Sequence, residues 1–448
     1  MSDEQPQSLD LLENLIGRAL DSGADAADAI LVTGQSLSQA MRFGKPEHLE
    51  RSESRDVGLR VFIGKRQAIV SSSDTAADAL EELCQRAVSM AKVVPEDPYC
   101  GLAPEELLAT EFPDVESADD WEPSADHLAE MATRAEQAAL DVEGVTNSEG
   151  GQAGWGRNAI AVAASNGFSR SYANTGHSIS ASVLAGEGTG MERDYDYTSA
   201  VFASDLASPE EIGRNAGEKA VRRLNPRKAE TVSVPILYDP RVSRSLVGHL
   251  SGAVNGTSIA RGTSFLKDEM DNLVFPENVN IIDDPLRKRG LRSRPFDGEG
   301  VTTSKTHLVE NGYLKTWILD LASARQLGLE TTGHASRGIS SPPSPSASNL
   351  YLEPGDVTPA DMIAGIKQGF YVTELIGFGI NGVTGDYSRG ASGFWIDGGE
   401  IAYPVSEVTI AGNLKDMFKN LSAANDLDFR YGTDAPTLRI DGMTVAGR

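Results

Sequence analysis

The dipeptides Asn166-Gly167, Asn311-Gly312 and Asn381-Gly382 each break a stretch in which apolar and polar residues alternate. Asparagine and glycine tolerate the positive φ angles that a two-residue hairpin turn demands, so this spelling selects antiparallel neighbours over crossover connections. The same alternation marks DAILV, SQAMRF, VGLRVFIG and RQAIVSS, which read as a meander of strands with a tight turn at Gly64-Lys65. Past Lys228 the chain is dominated by short strands and glycine turns, a pattern that predicts an antiparallel barrel or a sandwich-like sheet.

Helical periods interrupt the strands in the first half. Leu12, Leu15, Ile16, Ala19 and Leu20 share one face of a predicted helix over 8–22 that stops at Gly23. After Asp74, a second stripe runs through Leu80, Leu83, Cys84, Ala87, Val88 and Ala91. A third carries Leu128, Met131, Ala132 and Ala135, with His127 beside it, and a fourth spans 209–224. The Pro- and charge-rich stretch LNPRKAETVSVPILYDP places a domain boundary near Lys228. The expectation is an α+β protein in which an N-terminal α/β domain (1–228) precedes a C-terminal, mainly antiparallel, barrel-like β domain (229–448). The tract SRGISSPPSPSASNLYL reads as a polar excursion from the second domain, either a binding loop or a connector.

Charge and cysteine content narrow the function classes. With 65 acidic against 40 basic residues the formal charge is −25, a field that repels phosphate backbones, so nucleic acid is excluded as a partner. No apolar run approaches the roughly 18 residues of a membrane span, and MSDEQPQSLDLLENL lacks the basic flank and apolar core of a secretory signal. A cytoplasmic location is expected. Cys84 sits on an apolar helical stripe and Cys100 in a Pro-rich loop, a pair that forms neither a disulfide framework nor a zinc ribbon.

Several spelled motifs fail on context. Gly377-Phe-Gly379-Ile-Asn-Gly382 is a formal GxGxxG after the strand-like YVTELI, with Asp397 further on, which would suit a dinucleotide-dependent oxidoreductase. That reading needs a helix to open in the turn, and Gly385, Gly390 and Gly393 each disfavour a helix by about 1 kcal/mol relative to Ala. These glycines instead predict tight turns, bulges or close backbone approach. No GxxxxGK[ST] loop or GxSxG elbow occurs, and the SxxK at Ser264–Lys267 lacks its companion motifs. The histidines His48, His127, His177, His249, His307 and His334 are scattered, with no HExxH.

The run GFGINGVTGDYSRGASGFWIDGGEIAYPVSEVTIAGNLKDMF resembles the signature region of the TldD/PmbA metallopeptidase family, in its PmbA (TldE) branch. PFDGEGV, VENGYLKTWILDLASARQLGLETTGHASRG and the terminal APTLRIDGMTVAG extend the resemblance, as do ESRDVGLRVFIGKRQAIVSSSD and ASNGF, so it covers essentially the whole chain. The resemblance implies an N-terminal α/β domain followed by a β-rich one. In the catalytic TldD branch a helix carries HExxxH, whose histidines and a later Cys hold zinc while the Glu activates water. The matching stretch here is GHLSGAVNG: His249 takes the first histidine position, Leu250 stands for the Glu and Val254 for the second histidine. No Cys follows Cys100.

Neither leucine nor valine offers a lone pair to a proton or a metal. The resemblance therefore implies a chain that holds no cofactor and no catalytic or metal-binding residues of its own. Zinc is expected in a TldD-type partner, with this subunit acting in assembly and in gripping unfolded or modified peptides. His249 is then a lining residue of a vestigial pocket or a hydrogen-bonded histidine of the commoner kind. Asn255, Asn381 and Tyr387, the last two on an expected 381–387 strand, are candidates for a peptide groove or partner surface, with strand addition as the binding mode. A homo-oligomer is compatible with the isolated chain. The competing expectation is a self-sufficient metallopeptidase with other ligands.

Overall fold

A computed structural model describes residues 4–447. The protein is an α+β fold. Its first sheet has the order β3-β2-β1-β4-β5-β6, built from β1 (Ala26–Arg42), β2 (Lys45–Ile63), β3 (Arg66–Ser72), β4 (Val145–Ala164), β5 (Ser169–Ala185) and β6 (Glu192–Ala200). All neighbours are antiparallel, as the hairpin turns require, and Gly167 turns β4 into β5 with φ +95°. DAILV and SQAMRF belong to one continuous strand, β1, rather than to two. The first half of β2 is exposed from Lys45 to Arg55, so no apolar period announces it, and pairing with β1 alone holds it extended.

The two faces of this sheet meet different neighbours. Ala27, Ala29, Leu31, Leu37 and Met41, alternate residues of β1, lie under four helices: α1 (Glu4–Asp21) and α2 (Ala77–Ala91) over one end, α3 (Ala125–Leu140) and α4 (Pro209–Arg222) over the other. The buried residues of α2 are the six of its sequence stripe, Cys84 among them, and burial pushes the Cys84 thiol up to about 11. The opposite face of the sheet carries Ile30, Val162 and Phe168, which pack on Phe296 and Ile339 from the second half of the chain.

That second half begins with β7 (Val232–Tyr238), α5 (Pro240–Ala253) and α6 (Gly256–Ala260). Short elements follow: β8 (Ile281–Asp283), β9 (Thr306–Glu310), β10 (Tyr313–Leu314), α7 (Leu321–Leu327), β11 (Ala335–Ser336), β12 (Ser344–Pro345), β13 (Leu350–Leu352) and α8 (Pro359–Ala364). The chain ends with β14 (Gln368–Ile376), β15 (Asp386–Asp397), β16 (Glu400–Asn413), α9 (Leu414–Lys419), β17 (Leu421–Ala423), β18 (Thr433–Asp434) and β19 (Leu438–Ala446). Strands β7, β14, β15, β16 and β19 close on themselves through a β16–β19 pairing, giving a five-stranded barrel in which only β7–β14 is parallel. Closure removes the sheet edges that a flat arrangement would expose.

The glycines of the signature run act in this barrel as backbone devices. A Cβ on Gly393 would lie 2.0 Å from the Tyr371 carbonyl oxygen, beside the bulge where β14 and β15 slip register. A Cβ on Gly379 would lie 1.9 Å from the Ser388 carbonyl oxygen. No helix follows GFGING; the chain turns straight into β15, so there is no helix N-terminus to meet a pyrophosphate. At Asn311-Gly312 both residues take positive φ, +48° and +78°, and join β9 to β10.

The serine- and proline-rich tract is docked rather than free. Arg337, 2% exposed in its side chain, brings Nη2 to 2.7 Å from Asp28 Oδ1 on β1. Arg60 on β2 donates Nε to both Asp28 oxygens, at 3.2 and 3.0 Å, and Nη2 to Oδ2. Burial by itself raises the Asp28 carboxyl, but the two guanidiniums outweigh it and hold it below the usual carboxylate range. From PFDGEGV, Asp297 accepts backbone N–H groups of Glu299, Val301 and Ala335. Glu299 accepts the Leu321 N–H at 2.9 Å, and burial followed by the Asp297 charge pushes its carboxyl up to about 8. Arg325 of α7 donates to the carbonyls of Tyr99, Gly101 and Leu102, a second polar tie between the halves beside that of Arg337 with Asp28. No helix among the described residues is long and apolar enough to cross a membrane.

Candidate functional site

Helix α5 starts where Asp239 accepts the Arg241 N–H at 3.0 Å and Pro240 presets the first turn. Val242, Leu246 and Leu250, four residues apart, form its core stripe, and Val254, the C-cap, continues that stripe; Leu250 and Val254 are each 0% exposed. His249 is one residue, about 100°, further round the helix and faces another way. Beside it Gly248 and Gly252 have no neighbour within reach of a Cβ. The three positions that the resemblance aligns with a zinc motif therefore diverge, with two of them locked in the core of the barrel domain.

What His249 does meet is an aromatic group from the barrel. The ring of Tyr387, on β15, lies 6.0 Å from the imidazole at an interplanar angle of 69°. Burial, then the Arg389 charge, lowers His249 to about 4, so the imidazole is neutral at physiological pH, and its Nε2 is buried with no hydrogen-bond partner. The Tyr387 hydroxyl is likewise buried without a partner of hydrogen-bonding geometry, and burial pushes it up to about 12. Tyr238, at the end of β7, completes the group and donates its hydroxyl to Met443 Sδ at 3.4 Å. Tyr238 and Arg389 escaped the sequence reading; the only signal was their place, a strand end before Asp-Pro and a polar residue inside the glycine-rich run.

The remaining candidates are engaged locally. Asn255 caps α6 by accepting the Thr257 N–H at 3.0 Å and donates Nδ2 to the Pro345 carbonyl at 2.8 Å. Asn381 accepts from Val383 N at 2.9 Å and Thr384 N at 3.3 Å, so its side chain builds a turn. The expected 381–387 strand is corrected by this: extended pairing starts only at Asp386. Tyr387 is 2% exposed and offers an interior wall rather than a surface. The surface nearby is the 377–385 loop, from which Phe378, 97% exposed, and Val383 project, next to Ile376 at the end of β14.

Chemically, the group supplies one neutral imidazole and two phenols, able to donate or accept a hydrogen bond but too few in metal-binding groups to hold zinc. Leucine stands at the position that the resemblance aligns with the water-activating Glu and valine at that of the second histidine, and among the described residues no three His, Cys, Asp or Glu side chains converge. The positions present do not fit a catalytic zinc site.

Sequence profiles of one family cover this architecture in order: the PmbA/TldA metallopeptidase domain 1 matches residues 27–91, the central domain 118–224 and the C-terminal domain 231–447. Metalloprotease PmbA of Escherichia coli O157:H7 is 38% identical over 98% of this chain and 96% of its own length. The Metalloprotease PmbA homolog of Haemophilus influenzae is 36% identical over 96% of this chain and 94% of its own. The crystal structure of TldE from Thermococcus kodakarensis, at 21% identity, shares the fold with a TM-score of 0.88 over 98% of this chain and 100% of that one. From its N-terminal sheet to its barrel, the chain belongs to the TldD/PmbA metallopeptidase family, in the PmbA branch.

Proposed function

We propose that this chain is the non-hydrolytic subunit of a metallopeptidase whose zinc chemistry resides in a TldD-type partner, and that it acts in assembly and in holding unfolded or modified peptides. One observation carries the reading: Leu250 and Val254 are wholly buried at positions where hydrolysis needs a carboxylate and a metal ligand, while His249 points elsewhere. Attack on an amide by water at neutral pH needs a Lewis acid and a base, and these positions supply neither. What the chain contributes is geometry. Orientation of reacting groups lowers barriers by as much as about 7 to 11 kcal/mol.

Main-chain pairing is available along β2 between Lys45 and Asp56, which pairs with β1 on one side only. An extended peptide added there gains hydrogen bonds irrespective of its sequence, which suits unfolded substrates. The alternating charges of this segment oppose indiscriminate self-pairing. The test is to titrate this protein into a fixed amount of a TldD-type zinc subunit and record initial rates on a disordered peptide. A rate that saturates at a defined stoichiometry, and vanishes when the partner's HExxxH Glu is replaced, is expected. Unchanged rates with no co-elution overturn the proposal, as does stoichiometric zinc with hydrolysis in this chain alone.

A further inference from the structure

A second cleft, of about 170 Å³, lies away from His249, between α4 and the barrel. Its floor is a matched ionic lattice. Asp194 on β6 receives Arg241 Nη1 at 2.6 Å and Arg223 Nη1 at 3.3 Å. Arg241 spends its other donors on the Thr373 carbonyl, at the bulge of β14, and Arg223 spends its own on Glu374 and Glu192. Asp239 accepts the Tyr371 hydroxyl at 2.7 Å. These groups are mutually satisfied and have little left for a ligand.

The rim differs. Arg222, the last residue of α4, is exposed, with no carboxylate within 4.0 Å among the described residues; its guanidinium stands 4.9 Å over the ring of Phe394 on β15. Lys219, one turn earlier, is half-exposed and meets Asp196 at 3.1 Å. Phe394, Ile363 of α8 and Ile401 of β16 supply an apolar wall beside this charge. In a chain of net charge −25, an arginine without a carboxylate, parked on an aromatic face at the mouth of a half-apolar cleft, is a receptor for an anion with an apolar body.

We infer that this cleft binds the terminal carboxylate of a peptide that ends in an apolar residue: Arg222 takes the carboxylate as a bidentate pair, and the last side chain lies against Phe394, Ile363 and Ile401. A fatty acid presents the same chemistry; the choice of a peptide rests on the function proposed above. Guanidinium–carboxylate pairing of this kind is planar and directional, so an amide in place of the acid loses both the charge and one acceptor.

The test uses this chain alone, without zinc subunit or hydrolysis, so that its failure stays separate from failure of the assembly. A fluorescein-labelled pentapeptide ending in Phe is titrated by anisotropy as the free acid and as the C-terminal amide. The acid is expected to saturate and the amide to bind at least tenfold more weakly. R222Q should weaken the acid at least tenfold and leave the amide unchanged, whereas R86Q, which removes an exposed arginine on α2, should change neither. Equal binding of acid and amide overturns the inference, as does wild-type affinity in R222Q or an equal loss in R86Q. Saturable binding of dodecanoate with none of the peptide overturns it in favour of a lipid ligand.

Discussion

At the seam between the N-terminal sheet and the barrel domain, the buried carboxylate of Asp28 is met by two guanidiniums, whereas beside α5 the imidazole Nε2 of His249 is buried with no hydrogen-bond partner and the Tyr387 hydroxyl has only the Tyr238 phenol beside it. Both regions are polar and shielded from water. The seam joins residues far apart in the chain, and the Asp28 carboxylate pairs there with Arg60 of its own sheet and with Arg337 from the other half. The α5 region keeps a buried imidazole nitrogen with no hydrogen-bond partner at one of the positions that the resemblance aligns with a zinc motif.

The widest contrast comes from charging each region wrongly. Leu250→Glu puts a carboxylate among the core residues of the barrel domain with no cation to pair it, and it should cost upwards of about 4 kcal/mol in urea unfolding or leave the new acid protonated. Joined with Val254→His it should still give no peptidase activity in the isolated chain, because His249 faces away from both. Hydrolysis by that purified double variant would erase the distinction between the two regions.

Next in size is the seam. Arg337→Met leaves Asp28 with one partner instead of two and should cost about 3 kcal/mol by the same measurement. Combined with Asp28→Leu the loss should be smaller than the sum of the two single variants, since Asp28→Leu alone strands two buried guanidiniums and the double variant strands only that of Arg60. An additive double variant would mean that the seam is held by packing and not by charge.

Titration sharpens the comparison, because the two regions respond to pH with opposite sign. Glu299 at the seam has a folded value of about 8 against an ordinary 4.5. Between these the folded chain keeps a proton that the unfolded chain has lost, so stability falls as pH rises from 5 to 8. Glu299→Gln should flatten that fall by a few kcal/mol, read from urea midpoints across the range. His249 runs the other way, with a folded value of about 4 against 6.5. Below pH 6.5 the unfolded chain takes up a proton that the folded chain refuses, and stability falls as pH drops towards 4. His249→Phe should remove about 1 to 3 kcal/mol of that acid sensitivity, the smallest of the expected effects. Parallel pH profiles for wild type and His249→Phe would show that the imidazole is not held neutral by its site.

The sequence by itself determined the elements whose signal is local. The six buried residues of α2 are those of its apolar stripe, and Asn166-Gly167 and Asn311-Gly312 turn where their φ preferences allow. It also indicated that GFGING opens no helix, since Gly385, Gly390 and Gly393 each disfavour one and no apolar helical period follows, and that the side chains at 250 and 254 lack lone pairs. Tertiary structure decided the rest. The charged half of β2 shows no apolar period because neither of its faces is buried there, and its strand state comes from hydrogen bonds to β1. The Pro- and Ser-rich tract looks like a free loop until Arg337 is seen against Asp28, more than 300 residues earlier in the chain. The pairing of His249 with Tyr387, and of Arg222 with Phe394, depends on which strand the barrel closure sets beside which helix. Propensity and pattern act over a few residues, whereas closure of a sheet and burial of a charge are settled by contacts between distant segments.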